Sequence, residues 1–305
     1  MPTPTDVLHR HVIAVPPLAR DDAMHLDREQ NQRIIDHLIV GGVRTFLYGG
    51  NAMFYHLNLR QYADTLDWLS TVRDAGNTVV PSIGPTYGLL TDQADVLADH
   101  AFETAMVLPQ RDIADPAGTR HAVETVAGRL NRPVVLYIKF DGYLDVADVR
   151  SLFDAGVIDW IKYAVVRDDP TDDDYLRELV DAVDPTRIIS GIGEQPAIVH
   201  MRDFGLGGYT SGCVCVAPSS SQTMLEHCRG GEWDAADAIR RRYEPLEDLR
   251  NGIHPIRVLH EAVDAAGIAT TGPVPPLLSP LGPADRRRVA AAARELRHGS
   301  IASEA

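Results

Sequence analysis

The stretch "GVIDWIKYAVVRDD", residues 156–169, puts a lysine, Lys162, at the end of an apolar run that reads as a buried strand. Only two lysines, Lys139 and Lys162, occur among the 29 lysines and arginines of the chain. Arginine could serve there as an ion-pair partner, so what matters is what lysine alone can do. Its amine can lose a proton at accessible pH, whereas a guanidinium effectively cannot. Burial disfavours the ammonium and lowers the lysine pKa. A free amine can attack a ketone and form a Schiff base. The competing reading is a strand-end lysine that snorkels to water or pairs with a carboxylate.

Other residues could complete such a site. Tyr137, in "PVVLYIK", offers a phenol that can pass protons to and from a carbinolamine, although it also reads as a core aromatic with a satisfied hydroxyl. In "YGGN", Tyr48–Asn51, small residues expose backbone N–H groups before a helix. A carboxylate could sit in that turn against Gly50 and Asn51, though paired glycines also mark ordinary tight turns. "SGIGE" supplies Gly191 as a candidate substrate contact and Glu194 as a polar contact or acid/base group. Gly212 closes the glycine-rich "GLGGYTSG" and is a further candidate contact. Lys139 lies two residues past Tyr137 and shares its side if the strand continues. It could bind a carboxylate or depress the Lys162 pKa by its charge, or it could be an exposed loop lysine. Ser82 and Tyr87 follow in "PSIGPTYG".

These residues need elements to position them. Eight short β-branched runs recur: "HVIAVPP", "TFLYGG", "TVVPSIG", "TAMVLP", "PVVLYIK", "VIDWIKYA", "RIISGIG" and "GYTSGCVCV". Amphipathic segments such as "REQNQRIIDHLIVGGV" and "RQYADTLDWLSTVRDAG" lie between them, several closing on glycine as a helix C-terminus does. This alternation predicts an α/β fold, a (β/α)8 TIM barrel, whose chemistry belongs at the C-terminal ends of the strands. All the candidate residues then fall on one rim. A doubly wound sheet ranks second, because no strand–GxGxxG–helix unit opens the chain. From about residue 219 the pattern is helical only. We therefore expect a barrel over 1–225 and a C-terminal helical extension over 226–305 packed on it, with a frayed tail "HGSIASEA".

Bulk properties narrow the function. The balance of 45% hydrophobic and 24% charged residues is that of a globular chain. A net charge of −14 repels phosphate backbones and argues against a nucleic-acid partner. No apolar run approaches the roughly 20 residues that span a bilayer. The N-terminal "MPTPTDVLHRH" lacks a signal-peptide apolar region, so a cytoplasmic location is expected. Cys213 and Cys215 would share one side of a strand, and a lone C-x-C reads best as small buried hydrophobes. The H-x-H pair of His9 and His11 precedes the first strand, at the wrong rim for a barrel metal site. No cofactor-binding or metal-binding pattern emerges.

Taken with these residues, the chain resembles the dihydrodipicolinate synthase/N-acetylneuraminate lyase family of class I aldolases and dehydratases. The resemblance runs from "VIAVPP" through the helical tail and the late "PPLLSPLGP". It is anchored on "GGVRTFLYGGNAMFYHLN", "RPVVLYIK", "DWIK" and "GLGGYTSG". It implies a barrel assembled as a homo-oligomer, dimer or tetramer. It also implies a Schiff base between Lys162 and pyruvate or another 2-keto acid, with Tyr137 shuttling protons. The chain departs from the family in telling places. The usual Gly-Thr-Thr-Gly-Glu reads Gly49-Gly50-Asn51-Ala52-Met53, so backbone donors survive and the threonine hydroxyl relay does not. The synthase's carboxylate-binding arginine falls on Gly142, and its subunit-crossing tyrosine falls near Gln110 and Arg111.

The expectation is therefore a Schiff-base-forming lyase acting on a small 2-keto acid or sugar acid, without membrane or nucleic-acid partners, and not the synthase itself. The alternative is a non-catalytic keto-acid-binding or interaction protein on the same barrel. A metal-dependent barrel hydrolase is a distant third.

Overall fold

The computed structural model describes residues 9–301. Eight parallel strands close into one barrel in sequence order, β8 returning to β1. They are β1 (Ile13–Ala14), β2 (Thr45–Tyr48), β3 (Thr78–Ile83), β4 (Met106–Val107), β5 (Val134–Ile138), β6 (Ile158–Tyr163), β7 (Ile188–Ser190) and β8 (Gly208–Ser211). Each of the eight expected runs supplies one of them. The strands are short where proline follows: Pro16 and Pro17 after β1, and Pro109 after β4, have no N–H to extend a ladder.

Each strand is followed by one long helix: α1 (Arg28–Val40), α2 (Leu59–Asp74), α3 (Tyr87–Ala98), α4 (Pro116–Leu130), α5 (Val146–Asp154), α6 (Asp174–Ala182), α7 (Ala197–Asp203) and α8 (Pro218–Gly230). Local signals fix their ends. Asn58 and Gln61 form a reciprocal capping box at the start of α2. Gly76 and Gly156 adopt φ of 86° and 68° just past α2 and α5, a left-handed conformation that favours glycine. Three more helices follow: α9 (Trp233–Gly252), α10 (Pro255–Ala265) and α11 (Pro283–Ile301).

Three expectations need adjustment here. The division at 225/226 falls inside α8, the eighth barrel helix, which ends only where Gly231 turns left-handed (φ 72°). We therefore place the start of the helical extension at α9. His298 to Ile301, expected to fray, belong to α11, while 302–305 and the first eight residues of "MPTPTDVLHRH" lie outside the described residues. Cys213 and Cys215 are not on a strand. They form a 3-10 turn directly after β8, and both are fully buried.

Among the described residues no helix is long and apolar enough to cross a membrane. The barrel interior is filled by large side chains such as Trp160, which lies two residues before Lys162 on the same side of β6.

Candidate active site

β5 and β6 pair in register so that Tyr137 faces Lys162. Alternation turns Lys162 into the barrel and Tyr163 outward, where its hydroxyl donates to Asp173 Oδ2 (2.6 Å). Lys162 is only 5% exposed, so its amine sits in a low-dielectric place. Its Nζ lies 4.5 Å from the centroid of the Tyr137 ring. Burial first, and the charges of Lys139 and Arg250 after it, lower its pKa to about 7. A substantial share of the amine is then free at neutral pH. Gly191 makes room for the lysine stem: a Cβ there would lie 3.0 Å from Lys162 Cγ and 2.7 Å from Ala164 Cβ.

Tyr137 is itself buried, and burial raises its pKa, so the phenol is held protonated as a donor. Its hydroxyl accepts from Lys139 Nζ at 3.3 Å. Lys139 is exposed at the rim just past β5, on the side of Tyr137 as the strand alternation predicts. The rim beside it is braced. Arg167, after β6, donates to both Asp141 oxygens (2.7 and 2.7 Å) and to Asp173 Oδ1 (3.0 Å).

The turn after β2 has a definite polarity. Its carbonyls are all engaged by protein: Gly49 by the Phe54 N–H, Gly50 by the Met53 N–H, Asn51 by a His260 ring nitrogen (3.1 Å) and Ala52 by Arg20 Nη2 (3.0 Å). In a planar trans peptide the N–H points away from the preceding carbonyl. The Gly50 and Asn51 N–H groups therefore turn away from these partners, and neither has an acceptor among the described residues. Successive free N–H groups of this kind make an anion-binding concavity. The Asn51 side chain is partly committed, since Nδ2 donates to the Val15 carbonyl (2.9 Å).

Lys162, Tyr137, Lys139, Gly50, Asn51, Gly191 and Gly212 thus line one cleft of about 1030 Å³ at the C-terminal mouth of the barrel. Glu194 does not. It is fully buried behind the mouth, where its carboxylate accepts from the Ser211 (2.8 Å) and Ser221 (2.6 Å) hydroxyls. The expectation that Glu194 contacts substrate is corrected by the backbone. Gly193 has φ of 97°, which turns the chain after the cleft-lining 191–193 and sends the next side chain into the core. There Glu194 meets Glu247 of α9. Burial raises both pKa values, and for Glu247 the charge of Glu194 adds to it.

Two residues of the cleft have no signal in the sequence pattern. Arg250, on α9, reaches the mouth at Gly212: a Cβ on Gly212 would lie 2.8 Å from Arg250 Nη2 and 2.9 Å from Asn51 Nδ2. Tyr55, in the turn after β2, lines the same cleft, and a Cβ on Gly50 would lie 3.4 Å from its ring. The remaining candidates lie elsewhere. Ser82 is buried within β3, and Tyr87 is 58% exposed at the start of α3. His9 contacts the Thr186 carbonyl (2.7 Å) beside the N-terminal end of β7, at the opposite rim. No group of three or more metal-ligating side chains occurs among the described residues.

A buried amine, a protonated phenol facing it, and two free N–H groups across the mouth are the components of imine chemistry on a carbonyl acid. The barrel with its helical C-terminal layer is the fold of the dihydrodipicolinate synthases. Dihydrodipicolinate synthase from Oceanobacillus iheyensis superposes with a TM-score of 0.83 at 21% identity, over 96% of this chain and 99% of that one. The 4-hydroxy-tetrahydrodipicolinate synthase from Methylacidiphilum fumariolicum SolV gives 0.83 at 14%, over 97% and 98%. YagE, a prophage protein of the dihydrodipicolinic acid synthase family from E. coli K12 solved in complex with pyruvate, gives 0.80 at 20%, over 94% and 98%. At these identities the likeness is one of fold, and it extends over nearly the whole of each chain. No protein-family model and no curated protein matches the sequence.

Proposed function

We propose that this chain is a divergent lyase of the dihydrodipicolinate synthase family that works through a Schiff base on Lys162. The observation that carries the reading is the Lys162 amine: buried, lowered to about pKa 7, and facing Tyr137 at the barrel mouth. The substrate is pyruvate, another 2-keto acid or a sugar acid. Its carboxylate rests on the N–H groups of Gly50 and Asn51, which brings the ketone carbon over Lys162. The free amine adds to that carbon, and the carbonyl oxygen takes a proton to give a carbinolamine. Tyr137 protonates the departing hydroxyl, water leaves, and an iminium remains. The iminium accepts the electron pair released when the neighbouring carbon loses a proton or a carbon–carbon bond breaks. Lys139 recharges Tyr137 through their hydrogen bond or binds the far end of the substrate.

The synthase reaction itself is disfavoured. Where the resemblance would place the synthase's arginine, Gly142 adopts φ of 74°, a backbone that favours glycine. The threonine hydroxyls are gone too. Tyr55 is the hydroxyl nearest in kind to replace them, since it lines the cleft and its electrostatics couple to Tyr137. A homo-oligomer in the cytoplasm completes the proposal. Tyr87 and Ile113, 58% and 77% exposed, line one surface cavity and offer an apolar face for self-association, which light scattering would register.

Borohydride reduction in the presence of pyruvate tests the chemistry: a carboxyethyl group should appear on Lys162. The loss of hydroxyls at Gly50 and Asn51 favours one second reading, a keto-acid-binding protein without turnover. Saturable binding by calorimetry with no reducible adduct would select it.

A further inference from the structure

Around the Lys162 amine the cleft holds three cations: Lys139, Arg111 and Arg250. None of them forms an ion pair with a carboxylate among the described residues. Of the two carboxylates lining the cleft, Asp141 is taken by Arg167, and Asp112 is exposed to solvent. Unpaired cations gathered in the mouth of a chain of net charge −14 are an unusual local excess. They stand on opposite walls. Lys139 follows β5 and Arg111 follows β4, whereas Arg250 lies at Gly212, after β8, next to β1 and the β2 turn. Lys162, on β6, lies between the two groups around the barrel.

Arg250 is held in place by its own helix. One turn before it, Glu247 accepts the Glu194 and Gln195 N–H groups (3.0 and 2.9 Å). Gln195 Nε2 donates to Asp248 Oδ1 (2.7 Å), and Asn251 Nδ2 donates to Gln195 Oε1 (3.3 Å). Residues on both sides of Arg250 are therefore pinned to the turn after β7. The guanidinium spends Nε on the Pro255 carbonyl (3.3 Å) and Nη1 on Cys213 Sγ (3.8 Å). Nη2, beside Asn51 Nδ2 at Gly212, has no acceptor among the described residues. A cation fixed beforehand with a free donor loses little entropy on binding an anion.

We propose that the cleft takes a dianionic substrate, a 2-keto dicarboxylate. Arg250 and the Gly50 and Asn51 N–H groups receive the carboxylate beside the ketone, and Lys139 with Arg111 receives the second carboxylate at the far end. This rests on the reading of the cleft as a keto-acid site and adds the substrate class to it. Arg250 is then a specificity-determining residue donated by the helical extension, in place of the missing threonine hydroxyls.

Calorimetric titration of the full chain tests this without requiring any imine to form. The probes are dicarboxylates and monocarboxylates of equal chain length: 2-oxoglutarate against 2-oxopentanoate, and 2-oxoadipate against 2-oxohexanoate. For at least one length the dicarboxylate should bind about 10- to 100-fold tighter, the effect of one charge-assisted hydrogen bond. Lys139→Met should collapse that ratio toward one. Arg250→Met should weaken both members of a pair by a similar factor and so preserve the ratio. Gly212→Ala, which displaces Arg250 and Asn51 while keeping the charge, should weaken both as well, and Arg250→Lys should recover part of the loss. Equal affinity within each pair, or a ratio that survives Lys139→Met, overturns the dianion. Affinities unmoved by both Arg250→Met and Gly212→Ala overturn the role of Arg250. A preserved ratio without any borohydride adduct keeps the dianion and removes the Schiff base; an adduct with equal affinities does the reverse.

Discussion

Lys162 and Tyr137 face one another across the β5–β6 ladder, with the lysine Nζ 4.5 Å from the phenol centroid. Both sit on strands rather than loops, so the ladder register sets their geometry. A slip of one residue would turn either side chain to the helix layer. The closed barrel prevents that slip, and the rigid pair is what gives the site its proposed chemistry.

The pH dependence follows from the amine. Imine formation needs the neutral form, and the Lys162 pKa is about 7. The rate of trapping should rise about tenfold per pH unit below that value and level off above it. Lys139→Met removes a like charge that lowers this pKa, so the rising limb should move to higher pH. A profile that does not move would show that the Lys139 charge is not felt at Lys162.

Tyr137→Phe removes the proton donor but keeps the ring beside Lys162. Turnover should fall by about 10²- to 10⁴-fold, the usual share of general acid–base catalysis. Binding of the keto acid by calorimetry should change little by comparison. Turnover close to that of the parent would assign the proton transfer to another group, and Tyr55→Phe would then be the variant to measure.

Stability should respond to Lys162 in the opposite sense to activity. The folded-state pKa, about 7, lies below the ordinary 10.5. Between these values the unfolded chain holds a proton that the folded chain does not, so stability rises with pH across this window. Below pH 7 the full cost of the buried ammonium is present, up to about 5 kcal/mol at roughly 1.4 kcal/mol per pKa unit. Lys162→Met should therefore stabilise the protein at neutral pH by about 1–3 kcal/mol in urea denaturation. A lower midpoint for the variant would contradict the buried, unpaired amine.

The anchor of α9 is testable separately. Gly193→Ala places a Cβ 1.9 Å from Glu247 Oε1 on a backbone of φ 97°, so it should destabilise the fold strongly. Glu247→Ala leaves the Glu194 and Gln195 N–H groups without their partner, at a cost of about 1–3 kcal/mol each. Glu247→Gln keeps one acceptor oxygen, enough for one of the two N–H groups, and should lose less than the alanine. Thermal unfolding ranks the three, and a Glu247→Ala variant as stable as the parent would discard the clamp.

The barrel is legible in the sequence because the strands are short apolar runs and several helices carry their own caps. Lys162 stands out because lysine is scarce and falls at the end of such a run. Arg250 is not legible: it is one arginine of many on an amphipathic helix, and only the return of α9 over the mouth brings it to Gly212. Glu194 is misread for a related reason. Its position just past the strand end places it near the rim, but the positive φ of Gly193 turns the chain there and the Glu194 side chain enters the core. Gly191 is legible as a site residue, though its place is explained by the space that the lysine stem needs.

Reductive trapping tests the central claim most directly. The full chain is incubated with pyruvate, and separately with 2-oxoglutarate, reduced with borohydride, digested, and read by peptide mass, alongside Lys162→Arg. The account predicts a keto-acid adduct confined to Lys162, growing with pH through about 7 and absent from the variant. An adduct on Lys139 instead, or none on Lys162 with any 2-keto acid, would contradict it.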